Sequence, residues 1–323
     1  MRPLERSKIK RILVVSLTNI GDVILTLPVV DILKRDFPSS EISISIGPKA
    51  ATLFSQNPHL KNVYIYDKKQ STLKTIAWMF ELRREKFDLV VDLRNSAIPF
   101  LIGARNRTPV DGLRNFEGHM RDKHLSRLNR IHPVGGLPDR IYALFLTEKD
   151  QRFVHELLIR ELEGAHPYVV MAPGSAYKKK RWPLGNFAQL GDELQKFYGV
   201  KIVCVGDQRD REIVETMAQQ MKVKPVNLAG MTTLIQTAGV IKDAALVISN
   251  DSAPLHLSSY LDRPTLALFG PSDPAKYGPW GRQARYLKAD SLDADGNADI
   301  TTINVDMVFQ CINYNDGKFS FTV

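Results

Sequence analysis

The 323-residue chain carries 44 Lys and Arg against 35 Asp and Glu, a net charge of +9, with 44% hydrophobic and 24% charged residues. That is ordinary globular composition, the length suits one large or two medium domains, and no apolar run reaches the ~18 residues a transmembrane helix needs. The charge is uneven: residues 1–165 hold 27 basic against 19 acidic side chains, a net +8, and the remainder 17 against 16. An anionic partner for the first half follows from that excess, whether phosphorylated lipid, membrane surface or nucleic acid; a solvated basic surface explains the charge equally well. Cys204 and Cys311 lie far apart and read as free thiols. The opening MRPLERSKIKR leads into a strand rather than a signal-peptide core, so a cytoplasmic protein is expected.

Arg11 to Ser16 (RILVVS) reads as a buried first strand and Leu17 to Asp22 as its terminal loop. A helix follows from about Val23 to Asp36, with Ile24, Leu27, Val30, Ile32 and Leu33 giving it one apolar side. The first turn has no G-x-G-x-x-G, which argues against a dinucleotide-binding domain. Asp22 instead stands where the helix begins, and its plain role is a favourable N-terminal charge. Glu41 to Ile46 is the second strand, Lys49 to Gln56 a helix, Val63 to Tyr66 a third strand, Ser71 to Lys86 a helix and Phe87 to Leu93 a strand. This alternation fits a doubly wound parallel sheet. Ile76 to Phe80 lie among Lys68, Lys69, Lys74, Arg83 and Arg84, which suits a membrane-surface contact or a core face with one spare aromatic. Between Arg94 and Arg130 the pattern blurs into arginines (Arg94, Arg105, Arg107, Arg114, Arg121, Arg127) spaced by Gly, Pro and Asn. Arginine forks suit carboxylates and phosphates. No helix-turn-helix, zinc or RNP signature supports nucleic acid.

His132 to Asp139 is a Pro/Gly-rich break, Asp150 to Leu162 a helix, and Gly164 to Pro167 the expected interdomain linker, giving domains at 1–165 and 166–323. The rhythm restarts with the strand Tyr168 to Met171, followed by Pro173-Gly174-Ser175 and the basic run Lys178 to Arg181. Free N–H groups, a hydroxyl and lysines can hold a diphosphate, though a basic run is commonly a solvated loop. Lys201 to Val205 is a strand ending at Gly206-Asp207-Gln208, and Thr232 or Thr233 caps a helix to Lys242. Leu246 to Ser249 is a buried strand, Asn250 to Ser252 a polar turn, Pro254 to Tyr260 a helix, and Thr265 to Phe269 a strand that stops at Gly270 to Pro274. A helix N-terminus at the carboxyl edge of a parallel sheet is a seat for phosphate, with His256 on its first turn; a capped helix with His256 satisfying a carbonyl is the bland alternative. A short helix near Val305 to Ile312 closes the chain. No Asp-x-Asp pair or His/Cys cluster is read with metal-ligand spacing.

Three segments carry a resemblance: Asn19 to Val30 (NIGDVILTLPVV), Lys180-Arg181-Trp182-Pro183 after Pro173-Gly174-Ser175, and Asn250 to Pro274. Together they resemble glycosyltransferase family 9, the ADP-heptose:lipopolysaccharide heptosyltransferases, over about Arg11 to Gln310. The resemblance implies the α/β architecture called GT-B: two Rossmann-like domains facing across a cleft, the first binding acceptor and the second donor, with the tail helix packing back on the first. It implies an inverting transfer of heptose from ADP-heptose to a lipid A–Kdo type acceptor, with Asp22 as general base and Lys180 stabilising the leaving group. Gly174, Ser175, Asp207, Gln208, Met231, Asp251, Ser252, Ala253 and His256 would join Lys180 around the donor, and Thr18, Asn19, Gly21, Arg94 and Arg121 would meet the acceptor. No metal or cofactor is implied, and the enzyme would work at the cytoplasmic face of the inner membrane through transient surface contact. Ser16 and Gln208 depart from positions that are often charged in the family. Another nucleotide sugar or glycan acceptor, a nucleotide-sugar epimerase, and a non-catalytic binder of anionic glycolipid are the alternatives.

Overall fold

A computed structural model describes residues 4–54, 56–110, 116–164 and 167–321. The chain divides into two units, Met1–Thr147 and Glu148–Val323. The first comprises β1 (Arg11–Val15), α1 (Ile20–Ile24), α2 (Leu27–Asp36), β2 (Glu41–Ile46), β3 (Val63–Ile65), α3 (Thr72–Arg84), β4 (Leu89–Asp92), α4 (Ile98–Leu101), β5 (Asn106–Arg107) and α5 (Met120–Asn129). Its five strands pair in the order β3-β2-β1-β4-β5, all parallel. Ile12 to Val15 and Leu89 to Asp92 are buried throughout, as strands covered on both faces must be. From β1 the chain winds outward through β2 and β3, then returns to add β4 on the other side. The carboxyl ends of β1 and β4 therefore adjoin at a topological switch point, where open α/β sheets bind ligands.

The helix expected from Val23 to Asp36 is two helices. Pro28 lacks an N–H to continue the ladder, and the Thr26 hydroxyl donates to the Val23 carbonyl at 2.6 Å, closing the first helix. The chain then turns into α2, whose apolar side is buried from Leu27 to Leu33. Residues 48–53 form a 3-10 helix where an α-helix was expected. Within the blurred stretch lies α5, which packs on α2; Arg114 lies outside the described residues.

The second unit comprises α6 (Glu148–Leu162), β6 (Tyr168–Ala172), α7 (Leu184–Tyr198), β7 (Lys201–Cys204), α8 (Arg211–Gln219), β8 (Val226–Asn227), α9 (Leu234–Lys242), β9 (Leu246–Asn250), α10 (Ala253–Tyr260), β10 (Thr265–Phe269), α11 (Pro274–Tyr277), β11 (Ala284–Lys288), α12 (Val305–Gln310), β12 (Ile312–Asn315) and β13 (Lys318–Phe321). Six parallel strands run in the order β11-β10-β9-β6-β7-β8, with the switch point between β6 and β9. The unit boundary differs from the sequence reading. Helix α6 packs on α9, so the second unit begins ahead of the expected break, whose residues 165 and 166 lie outside the described set. The tail helix α12 packs on α7: Val305, Val308, Ile312 and Phe319 enter the core of the second unit, and Tyr198 stacks on Phe309 at 5.6 Å. The tail helix is thus part of the second unit's own core.

Candidate functional site

Each unit gathers expected site residues at its own switch point. In the first, the loop Leu17–Asn19 leaves β1 and Asn19 opens α1 with its backbone extended. Asp22 sits in that first turn and accepts one hydrogen bond, from Asn19 Nδ2 at 2.9 Å. Free N–H groups at a helix start favour a carboxylate there. The loop is fixed from behind. Gly47 at the end of β2 passes so close that a Cβ there would stand 2.5 Å from the Thr18 carbonyl oxygen. No larger residue fits without displacing the backbone that carries Thr18, Asn19 and Gly21. Ser16 points inward and bonds the Thr26 hydroxyl at 2.7 Å, a buried structural hydroxyl at the end of β1.

The neighbouring strand β4 ends at Asp92, whose buried carboxylate accepts from the Arg94 N–H (2.9 Å), the Ser96 N–H (2.6 Å) and the Ser96 hydroxyl (2.9 Å). Beneath this turn the buried Arg127 guanidinium donates to the Asp92 carbonyl at 2.9 Å and to Asn95 Oδ1 at 3.1 Å. These bonds hold Asn95 at φ +60°, a conformation few side chains adopt. The turn presents Arg94, with its guanidinium 4.4 Å over the Tyr66 ring. Arg121 lies in the first turn of α5 and pairs with its neighbour Asp122 at 2.7 Å. Sequence reasoning missed Asp92 as an anchor and read Arg127 only among the anion-binding arginines, whereas it is buried and structural; an Asp closing an apolar strand two residues before an Arg was the available signal.

In the second unit Asn250, fully buried at the end of β9, joins three segments. Its amide donates to the Pro173 carbonyl at 2.8 Å, and its oxygen accepts from the Trp182 N–H at 3.0 Å. The Trp182 indole fills the core and donates to the Ile303 carbonyl at 2.6 Å. Arg181 forks onto the Ser175 carbonyl at 2.8 and 2.6 Å. With Arg181 and Trp182 turned inward, Lys180 extends toward Asp251, its Nζ 2.6 Å from Oδ2. The Asp251 side chain is 8% exposed and Lys180 27%, so this pair is screened far less than a surface bridge. On the other carboxylate oxygen stands His256 Nε2, at 3.8 Å, with its ring stacked on Trp280 at 6.1 Å. The Ser175 hydroxyl reaches the Asp251 carbonyl at 3.4 Å. Ser252 and Ala253 begin α10 with no side-chain cap, leaving the first N–H groups to a ligand or water.

Beside this cluster, Gly174 and Gly206 make room for the Asp210 side chain, which a Cβ on either would strike. Burial pushes the Asp210 carboxyl up. Asp207 is taken by Arg209, whose hydrogen bonds hold it below the usual carboxylate range, and it caps the turn at 208–210. The carboxylate expected near the nucleotide is thus already paired. Gln208 lies over Gly230, whose φ of +74° and lack of a side chain admit it. Met231 is exposed on the next turn, and Thr233 rather than Thr232 caps α9. Lys179 binds Asp293 at 3.0 Å together with Asp295, which corrects the reading that no Asp-x-Asp pair is present: Asp293-Ala294-Asp295 is one, and it holds an ammonium. Among the described residues no three His, Cys, Asp or Glu side chains cluster as metal ligands, and no helix is long and apolar enough to cross a membrane.

The chain is similar to known proteins over most of its length. Residues 144–303 match the model of glycosyltransferase family 9 (heptosyltransferase). The chain is 28% identical over 288 residues to lipopolysaccharide heptosyltransferase 3 of Escherichia coli, covering 80% of this chain and 83% of that protein. A family 9 glycosyltransferase from Veillonella parvula superposes with a TM-score of 0.78 at 26% identity, over 93% of this chain and 95% of the other. The Escherichia coli heptosyltransferase WaaC with ADP gives 0.69 at 18% identity, over 93% and 98%. Both units thus share the GT-B architecture of solved heptosyltransferases.

Proposed function

We propose that this chain, which matches the model of glycosyltransferase family 9 over residues 144–303, is a glycosyltransferase of that family that transfers heptose from ADP-heptose to the core of lipopolysaccharide with inversion. Its curated relatives are lipopolysaccharide heptosyltransferases, and solved relatives hold ADP or an ADP-heptose analogue. The observation that carries the reading is the Lys180–Asp251 pair beside the uncapped start of α10. When the sugar–phosphate bond breaks, its electrons pass to the diphosphate. A fixed ammonium and aimed N–H groups stabilise that charge as it grows. Asp251 orients Lys180 before the donor arrives and offers its carboxylate to sugar hydroxyls once the lysine meets phosphate. Ser175 and His256 flank the same point, and Gly174, Gln208 and Met231 border the nucleotide. Protein groups perform this task, with no metal ion assigned to it.

The first unit takes the acceptor in this reading. Asp22 accepts the proton of the acceptor hydroxyl as its oxygen attacks the anomeric carbon, a general-base step. Arg94, held on Tyr66 and free to fork onto a carboxylate or phosphate, suits an anionic glycan. Thr18, Asn19 and Gly21 line the approach, with Arg121 as a further basic contact. The workplace is the cytoplasmic face of the inner membrane, where a lipid-linked acceptor is presented.

The test is calorimetric titration with ADP, UDP and GDP, then transfer from ADP-heptose to a Kdo-terminated lipid A acceptor followed by mass. ADP should bind best, and Lys180→Ala should weaken it by about ten- to a hundredfold, since a charge-assisted bond is worth roughly 1.5–3 kcal/mol. Preference for UDP or GDP would move the donor. ADP binding without transfer to any acceptor would make the protein a binder.

A further inference from the structure

Helix α3 is apolar on two opposite sides. At 3.6 residues per turn, Trp78 and Leu82 fall on one side and are buried against the first unit's sheet. Leu73, Ile76, Ala77 and Phe80 fall on the other and face solvent, Leu73 at 80% and Phe80 at 61% exposure. The exposed stripe continues onto α4. There Ile98 and Pro99 are buried while Phe100 and Leu101 are about half exposed. Arg83 at the end of α3 donates to the Leu101 carbonyl at 3.2 Å, which sets the two helices side by side. Single exposed leucines are unremarkable, but five large apolar residues on adjoining helices form a patch that a lone soluble surface rarely shows.

The patch has a basic rim. Lys68 and Lys69 precede α3, Lys74 lies in its first turn, Arg83 and Arg84 end it, and Arg105 follows α4; all six are on the described surface, with Asp67, Glu81 and Glu85 the acidic residues among them. Arg107 places its guanidinium 4.0 Å over the Phe100 ring, covering apolar surface with charge. An apolar stripe ringed by lysine and arginine is complementary to a bilayer with anionic head groups. The rings and leucines enter the acyl boundary, and the basic residues meet the anionic head groups.

The patch also connects to the acceptor turn. Tyr66 lies between them, with the Arg94 guanidinium 4.4 Å over its ring and the buried face of Trp78 packed against it at 5.0 Å. Helix α4 begins directly after the turn Leu93–Ser96. We infer that the α3–α4 face docks on an anionic phospholipid bilayer and so brings Arg94 to the head group of a membrane-held acceptor. The second clause rests on the proposed lipid-linked acceptor; the docking itself stands on the patch and its rim.

The experiment is co-sedimentation of the full chain with vesicles of phosphatidylcholine alone or mixed with phosphatidylglycerol. In parallel, transfer to a deacylated, water-soluble acceptor is measured. The protein should pellet with the mixed vesicles and remain in solution with phosphatidylcholine alone. Leu73→Ser with Phe80→Ser should lower partitioning by about tenfold or more, because each removes apolar area from the buried face. Lys68→Gln, Lys69→Gln and Lys74→Gln together should abolish the preference for phosphatidylglycerol. Neither set should change turnover on the soluble acceptor or the melting temperature. A protein that stays in the supernatant with both vesicles, or a serine variant that binds as well as the parent, overturns the docking while leaving the transferase reading intact. Self-association in sedimentation velocity that disappears in the serine variant, without vesicle binding, gives the patch to a second copy and also overturns it. Failure of transfer to the soluble acceptor with vesicle binding intact tells against the acceptor reading alone.

Discussion

The two units carry the same kind of sheet, and each places its reactive groups at a switch point, yet they hold those groups differently. In the second unit the site is knit together in advance. Asn250 bonds two segments remote in sequence, Lys180 lies on Asp251, and Arg181 and Trp182 are turned into the fold. In the first, Asp22 accepts a single hydrogen bond from Asn19, on a loop positioned by close backbone contact with Gly47. The charge differs too. The first unit has 24 Lys and Arg against 14 Asp and Glu, a net +10, and the second 20 against 21. A donor diphosphate of fixed shape suits the rigid, locally basic site. In the proposed transfer, a base that must lose and gain a proton suits a carboxylate with few partners, in a unit whose net charge would attract an anionic acceptor.

The sharpest way to break this comparison is Asp22→Asn. If Asp22 is the base, kcat should fall by about 10²–10⁴-fold with ADP affinity unchanged in calorimetry, because no donor contact is altered. A small loss of kcat, or weakened ADP binding, would end the division of labour between the units. Asn250→Ala is the complementary test. It strands the Pro173 carbonyl and the Trp182 N–H in a buried site, and each stranded group costs about 1–3 kcal/mol. The expected outcome is roughly 2–4 kcal/mol of lost stability in denaturant unfolding, with weaker ADP binding, because Pro173 and Trp182 bracket Lys180. Unchanged stability would show the second site to be less interlocked than its hydrogen bonds indicate.

What could be read from the chain follows the same physics. Apolar runs such as Ile12 to Val15 and Leu246 to Ile248 announce doubly covered strands, and the Gly-Asp, Lys-x-Trp-Pro and Asn-Asp-Ser segments point to both switch points. Helix α5 escaped because its buried residues are His124, Arg127 and Leu128, so its core side has no apolar period. The domain break moved because the amphipathic α6 shows that it must pack without showing on which partner. Asn250 could be read as a turn residue, but its bonds reach 68 and 77 residues away, beyond any local pattern. Asp207 matched an expected ligand by position, and only the fold shows its exposed pair with Arg209.

The last contrast concerns buried polar groups and gives the smallest effect. The first unit buries two histidines and treats them oppositely. His132 lies 2.7 Å from Asp36. Burial alone would raise the Asp36 carboxyl, but hydrogen bonds from Arg35 and His132 hold it below the usual range. His124, on α5, has no hydrogen-bond partner on either ring nitrogen among the described residues, and burial pushes it down to about 3. A histidine whose folded pKa lies below its unfolded value of about 6.5 binds its proton more readily in the unfolded chain. Stability is therefore lost as pH falls from about 6.5 toward 3, whereas the Asp36 contribution is lost only lower, through the carboxylate range. Between pH 7 and pH 5 the His124 effect amounts to about 2 kcal/mol. Urea unfolding at the two pH values should show it for the parent protein, and His124→Leu should remove most of it by leaving nothing to protonate at that position. An equally steep acid response in the variant would place the acid-sensitive group elsewhere and erase the contrast with the fully paired Asn250.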